Sequence, residues 1–374
     1  MKKVFGAVFS YIKATDKLLY ILCIAASLFS ILLLIATSRL GFSTYKLPIM
    51  QAVALGLGLG CAVLISLFDY NNFAKLWKIY VPISVVLMVL TFTPIGYQVA
   101  GIDNRAWIQL GFTTFQPAEI LKIAFVMTFA LHLSKVSKEI NRPINVLLLF
   151  LHAAVPLGMV FLQGDFGTLI IFVIIFIAMM FGAGLSLIYL LGLGVIAAAS
   201  SVLMWFFVLL DQHKERIVSV FHPELDKLGI GFQAWEGRIS LGGGMMFGHG
   251  LFNPALRYVP EIYNDFLFAF IGDALGFLGC IFTILLLFSI SSRILYVGGT
   301  SKNELGRYIC TGIFAIIAGQ TIVNIGMCLS VLPVIGITLP FLSSGGSSML
   351  TVFLGIGVVL SVYMHNQRSM FSNE

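Results

Sequence analysis

Along this chain, polar residues are confined to short stretches between long apolar blocks. Ten blocks run at about 18–36, 48–68, 77–96, 117–134, 144–163, 166–183, 186–210, 264–290, 307–333 and 346–364. Wound as helices, runs of about 20 apolar residues match the thickness of a bilayer. The blocks are continuous rather than alternating, which argues against a closed β-barrel, the other structure that satisfies its backbone in lipid. The pattern predicts an all-α integral membrane protein of about ten transmembrane helices, organised as one domain over residues 1–374. Blocks five and six are joined by "GDFG" and blocks six and seven by "GAGLS", so both pairs are tight hairpins. The first block is longer than the apolar core of a signal peptide and reads as a retained span. Before it, Phe5, Val8, Phe9 and Ile12 share one helical face, a pattern that suits a helix lying on the membrane surface.

One long polar stretch, about 211–263, separates the seventh block from the eighth. Within it "LGGGMMFGHGLF" is too apolar for a free extracellular linker, so it is expected to dip back against the bundle.

Composition agrees with the membrane reading. The chain is 59% hydrophobic and only 10% charged, with mean hydropathy +1.02. A soluble domain carries about 25% charged residues. The net charge of +6 does not point to nucleic acid, because the basic residues stand singly between apolar blocks. They work instead as topology signals. Lys2, Lys3, Lys13, Lys17, Lys75, Lys78, Lys135, Lys138, Arg142, Arg293, Lys302, Arg307 and Arg368 all fall on the side of the N-terminus. Short loops on the opposite side hold only Arg39, Lys46 and Arg105. Both termini are therefore expected in the cytoplasm, with the 211–263 stretch outside. The five cysteines lie in apolar runs and are expected to be free thiols.

The ionisable groups then gather towards the outer face. Arg105 and Trp107 precede the fourth span, and Glu119 and Lys122 follow at i, i+3 on one of its faces. That pair reads either as a self-neutralising structural contact or as the charged wall of a substrate cavity. Asp165 stands in the "GDFG" hairpin, as a helix cap or as a second cavity wall. Arg238 lies in the long stretch, and Glu261 and Asp265 stand at the mouth of the eighth span. Asp273 is eight residues further on, roughly 12 Å deeper. It is expected to be neutral or paired. His213, His222 and His249 lack metal-ligand spacing. Two classes remain on these residues alone: a transporter, which needs polar groups at mid-membrane, and a membrane-embedded enzyme with its acids at one face. The outward bias favours the enzyme.

Several motifs together resemble the SEDS family (shape, elongation, division and sporulation) over nearly the whole chain. They are "RAWIQLGFTTFQPAEILKIA", "GDFGT", "GIGFQAWEGRISLGGGMMFGHGL", "VPEIYNDFLFAFIGDALGFLG" and "NIGMCLSVLPVIGITLPFLSSGGSS". The last of these leans toward the rod-shape branch over the division and sporulation branches. The chain departs from the family pattern at Glu236-Gly237, Tyr263-Asn264, Asp273-Ala274 and Ser344. The resemblance implies a peptidoglycan glycosyltransferase that polymerises lipid II, working with a class B penicillin-binding protein and other elongation-complex membrane proteins. It implies Asp265 as the catalytic carboxylate. Arg105, Lys122 and Arg238 then stand as candidates to offset diphosphate charge, and Trp107, Glu119, Asp165 and Glu261 as further substrate-binding positions. A divalent cation, Mg or Mn, is compatible with Glu119 or Glu261, but no ligand cluster stands in the sequence. A lipid II flippase and a non-catalytic scaffold for the penicillin-binding protein are the alternatives.

Overall fold

The fold is taken from a computed structural model of the 374-residue chain, which describes residues 10–97, 105–111, 113–221 and 231–371. Thirteen α-helices lie in this order among the described residues from Lys17 onward: α1 (Lys17–Arg39), α2 (Lys46–Leu67), α3 (Tyr70–Lys75), α4 (Trp77–Leu90), α5 (Pro117–Val136), α6 (Pro143–Leu162), α7 (Phe166–Gly182), α8 (Leu187–Phe207), α9 (Asp211–Phe221), α10 (Phe232–Gly243), α11 (Leu267–Gly299), α12 (Glu304–Cys328) and α13 (Gly346–Phe371). Eight of them, α1, α2, α5, α6, α8, α11, α12 and α13, are long and apolar enough to cross a bilayer. The shorter apolar helices α4 and α7 occupy the third and sixth apolar blocks.

Local chemistry sets the helix starts. Asp16 caps α1 by accepting from Leu19 N at 3.1 Å, and Asn303 caps α12 through Leu305 N at 3.1 Å. Pro117 and Pro143 open α5 and α6, where a missing N–H is no loss. Asp16 also accepts from Arg293 Nε at 2.8 Å, which ties the start of α1 to the late turns of α11.

The interior is built around α12, which packs on α11, α7, α5 and α13. Small residues allow the closest approaches, as expected where lipid removes the hydrophobic drive between helices. A Cβ on Gly357 of α13 would stand 2.8 Å from Ala62 Cα of α2, and one on Gly58 of α2 would press on the Phe353 ring. At the other extreme, α8 leaves its apolar window unburied by the rest of the chain.

Four features differ from the sequence expectation. Residues 211–263 are not a plain loop, because α9 and α10 form within them. The eighth span runs on to Gly299. The ninth stops at Cys328 rather than near 333, since Ser330 takes a positive φ of 53° and Pro333 follows. A small antiparallel sheet, β1 (Gly96–Tyr97), β2 (Trp107–Leu110) and β3 (Thr113–Phe115), lies before α5, with Tyr97 opposite Trp107 and Ile108 opposite Phe115. The surface-helix expectation falls up to residue 9 outside the described residues, as does His222.

The expected dip of the glycine-rich stretch is present, and it breaks a helix. Gly276 interrupts α11 with φ 66° and ψ −164°. Into the break comes the 245–250 segment: Phe277 N donates to Met245 O at 2.8 Å, His249 N to Asp273 O at 3.0 Å, and Gly250 N to Ala274 O at 2.9 Å. Backbone groups freed by the break are thus satisfied by protein, as bilayer depth requires. Side chains at Gly276 or Gly248 would run into the opposing backbone.

Candidate functional site

The site begins in the first turns of α5. Lys122 Nζ donates to Glu119 Oε1 at 2.7 Å, and the two side chains are only 1% and 6% exposed. The i, i+3 spacing read from sequence is therefore a closed ion pair inside the bundle.

Gln116, immediately before α5, reaches the next element. Its Nε2 donates to Asp165 Oδ2 at 2.7 Å and to Thr168 Oγ1 at 3.3 Å. Asp165 caps α7 through Thr168 N at 3.0 Å, so its two oxygens serve two different partners. Burial raises the Asp165 carboxyl above the usual carboxylate range, while the Thr168 hydrogen bonds, the Lys122 charge and Gln116 pull it down. The capping role offered by the sequence is present, and Gln116 ties that cap to the start of α5.

Asp265 stands two residues before α11, outside the spanning helix. Its segment is fixed at several points. Asn324 Nδ2 donates to Asp265 O at 2.8 Å, Ser343 Oγ donates to Asn264 O, and Ser344 N donates to Tyr263 O at 2.9 Å. Glu261, exposed and at φ 56°, accepts from Asn264 Nδ2 at 2.6 Å. Asp265 keeps partial access to solvent, yet protein surrounds its carboxyl. Desolvation first, then the negative charges of Glu261 and Asp165, push it up to about 7. Asp165 acts on Asp265 and Lys122 acts on Asp165, so α5, the α7 cap and the lead into α11 share one electrostatic neighbourhood.

Other sequence candidates are placed differently. Trp107 is half-buried in β2, and Arg105 is exposed just before it. Arg238 projects exposed from α10 and is not among the charges that shift Asp265. Asp273 does not share the Asp265 neighbourhood. It accepts from Arg257 N at 2.9 Å and Ser240 Oγ at 3.3 Å, and meets His249 Nδ1 at 2.9 Å, pinning the re-entrant segment to α11. Glu236 pairs with Arg257 at 2.7 Å. No group of three or more His, Cys, Asp or Glu side chains positioned to hold a metal ion exists among the described residues. Glu119 Oε1 is engaged by Lys122 and Glu261 Oε2 by Asn264, and neither carboxylate belongs to such a group.

Sequence reasoning missed Gln116, Asn324 and Ser343. A readable signal existed for Asn324, an amide inside an apolar span, where polar side chains are expensive.

Comparison with known proteins gives concordant results. The Cell cycle protein family, FtsW, RodA and SpoVE, matches residues 14–368. The peptidoglycan glycosyltransferase MrdB of Escherichia coli K12 is 30% identical over 298 residues, 78% of this chain and 79% of that one. Stage V sporulation protein E of Bacillus subtilis is 33% identical over 328 residues, 85% of this chain and 87% of that one. Among solved structures, a chain of a peptidoglycan synthase complex that coordinates polymerization and crosslinking superposes with TM-score 0.80 at 26% identity, covering 94% of this chain and 98% of that one. The rod shape determining protein RodA of Thermus thermophilus superposes with TM-score 0.70 at 24% identity, covering 94% and 97%, which speaks to the fold alone.

Proposed function

Because the chain belongs to the SEDS family of cell cycle proteins, with FtsW, RodA and SpoVE, we propose that it acts as a peptidoglycan glycosyltransferase polymerising lipid II at the outer face of the cytoplasmic membrane. The observation that carries this is Asp265, a carboxyl held near neutrality beside a buried cluster that contains one cation. A lipid-linked sugar keeps its tail in the bilayer and its headgroup at the interface. Its enzyme needs polar groups at one face, next to lipid.

The acceptor sugar hydroxyl must lose a proton as it attacks the donor's anomeric carbon. Asp265 takes that proton as general base, a role worth about 10²–10⁴-fold. A base poised near the working pH is both ionised often enough and basic enough to serve. The leaving diphosphate gathers negative charge, which Arg105 and Arg238 offset from the rim, while Lys122, closed in its ion pair, acts from behind through Asp165. Trp107 and Glu261 complete the substrate surface, backed by the buried Glu119 and Asp165. No step is routed through a metal ion.

The role is elongation of the cell wall, with a class B penicillin-binding protein supplying the cross-linking activity and other elongation-complex membrane proteins alongside. Similarity to a chain of a peptidoglycan synthase complex supports that partnership. The Lys and Arg bias supports cytoplasmic termini. Cysteines introduced at Lys227 and Lys302 should react with a membrane-impermeant thiol reagent from opposite sides, and labelling of both from outside overturns this orientation. The function itself is tested by giving purified lipid II to the purified chain, with and without its partner. Glycan should form with the complex. If glycan never forms while the partner's cross-linking rate still depends on this chain, the protein is a scaffold instead.

A further inference from the structure

We propose that Asn324 is a positioning residue for glycosyl transfer: by donating to the carbonyls of Asp265 and Ile337, its side-chain amide holds the catalytic carboxylate against the Gly336 turn. This rests on the reading of Asp265 as the base.

Asn324 lies near the end of α12 and is 0% exposed. Its Nδ2 carries two hydrogens. One is given to Asp265 O at 2.8 Å, the other to Ile337 O at 2.6 Å. Cys328, one turn on, directs its Sγ to the same Asp265 carbonyl at 3.6 Å. The two acceptors lie in segments 59 and 13 residues from Asn324 in sequence, so one nitrogen joins the lead into α11 to the stretch that follows α12.

That junction reaches the carboxylate itself. Gly336, beside Ile337, sits at φ 72°, and a Cβ built on it would stand 3.5 Å from Asp265 Oδ2. The turn therefore walls one side of the carboxylate with bare backbone. Asn324 holds the base by its main chain and the wall by its neighbour.

The side chain is chosen for its donors, because its Oδ1 is buried without a partner. Leucine would remove that orphan oxygen but offer no N–H. Serine offers one donor. Aspartate offers none when ionised and one when protonated. Only an amide satisfies both carbonyls from one nitrogen at this length. Once the link is cut, the carboxylate and the turn can move apart, and a displacement of about 1 Å at a reacting group can cost about 10²-fold in rate.

The charged and titratable groups around Asp265 are Glu261 and Tyr263 on its own segment, Asp165 at the α7 cap, Lys122 and Glu119 behind it on α5, and Cys328 on α12. The 331–345 segment contributes none. A carboxylate released from this enclosure changes its exposure to those charges, so the pH at which activity rises should move as well.

The test uses the full-length chain with its partner and purified lipid II. Asn324→Ala and Asn324→Asp are measured alone and in an Asp265→Asn background, with thermal melting alongside. Each single variant should lose about 30- to 100-fold in kcat with KM changed less than about threefold, and its rate–pH inflection should shift. In the Asp265→Asn background the same substitutions should have no further effect on residual turnover, since they act through the missing carboxylate. Folded variants with wild-type kcat and an unmoved inflection overturn the proposal. So does a loss that repeats in full without the carboxylate, and so does failure of both variants to fold, which makes Asn324 a fold residue. If Asp265→Asn alone keeps the wild-type rate, the base assignment falls by itself, whatever Asn324 does.

Discussion

Asp265→Asn should lower lipid II polymerisation by about 10²-fold or more while the protein still inserts and binds its partner. The change is nearly isosteric and leaves the main-chain bond from Asn324 in place. Two pH experiments give this result its meaning. The wild-type rate should rise about tenfold per pH unit on the acid side and level off above about 7, because the base must be ionised and its carboxyl sits at about 7. The stability effect runs the opposite way. A carboxyl raised from 3.8 to about 7 keeps its proton in the fold where the unfolded chain has lost it. Wild-type stability therefore falls as pH rises between about 4 and 7, and the penalty is complete above that window. Asparagine never ionises, so Asp265→Asn should melt at or above wild type at pH 8 and level with it near pH 4. Destabilisation at pH 8 together with inactivity would make Asp265 a structural acid. A near wild-type rate would remove the base altogether.

This division between legible and hidden features has a physical origin. Helices in lipid announce themselves by length and continuity, so the apolar blocks were readable, as was Glu119 beside Lys122, whose contact is set by helix geometry alone. The glycine-rich stretch was legible as a dip because an apolar run cannot remain in water. Its landing place was not, since a break at Gly276 depends on what enters it. The same limit applies to Gln116 on Asp165 and Asn324 on Asp265, contacts that span 49 and 59 residues. No periodicity encodes them. Asp273 was legible as a paired acid, because a lone carboxylate that deep in a span is expensive, but its partners His249, Ser240 and Arg257 N, which make it a clasp for the re-entrant segment, were not. The C-terminal end of the ninth block misled for a simpler reason. Residues 329–333 are mostly apolar, but the backbone turns at Ser330 and Pro333 forbids another helical turn.

Lys122→Met should be among the most destabilising single substitutions in the chain. The ammonium and the Glu119 carboxylate are both buried, and removing one leaves the other unpaired in low dielectric, at about 3–5 kcal/mol. Glu119→Gln should do comparable damage by stranding the ammonium. The double variant, Lys122→Met with Glu119→Gln, removes both charges in nearly conserved volume. Buried pairs replaced in this way are often neutral or stabilising, so its melting temperature should recover most of the loss of either single variant. Activity then separates two roles that stability cannot. A pair that only holds the bundle together would let the double variant polymerise lipid II at close to the wild-type rate. In the cavity-wall reading Lys122 is also the cation that steadies Asp165 and, behind it, Asp265, so its charge reaches the reacting groups through them. The double variant should then fold well and remain slow, by about 10²-fold, the usual effect of deleting one group that stabilises transition-state charge. Recovery of both melting temperature and turnover would reduce the pair to architecture. Wild-type melting and turnover in Lys122→Met alone would show that neither role is needed.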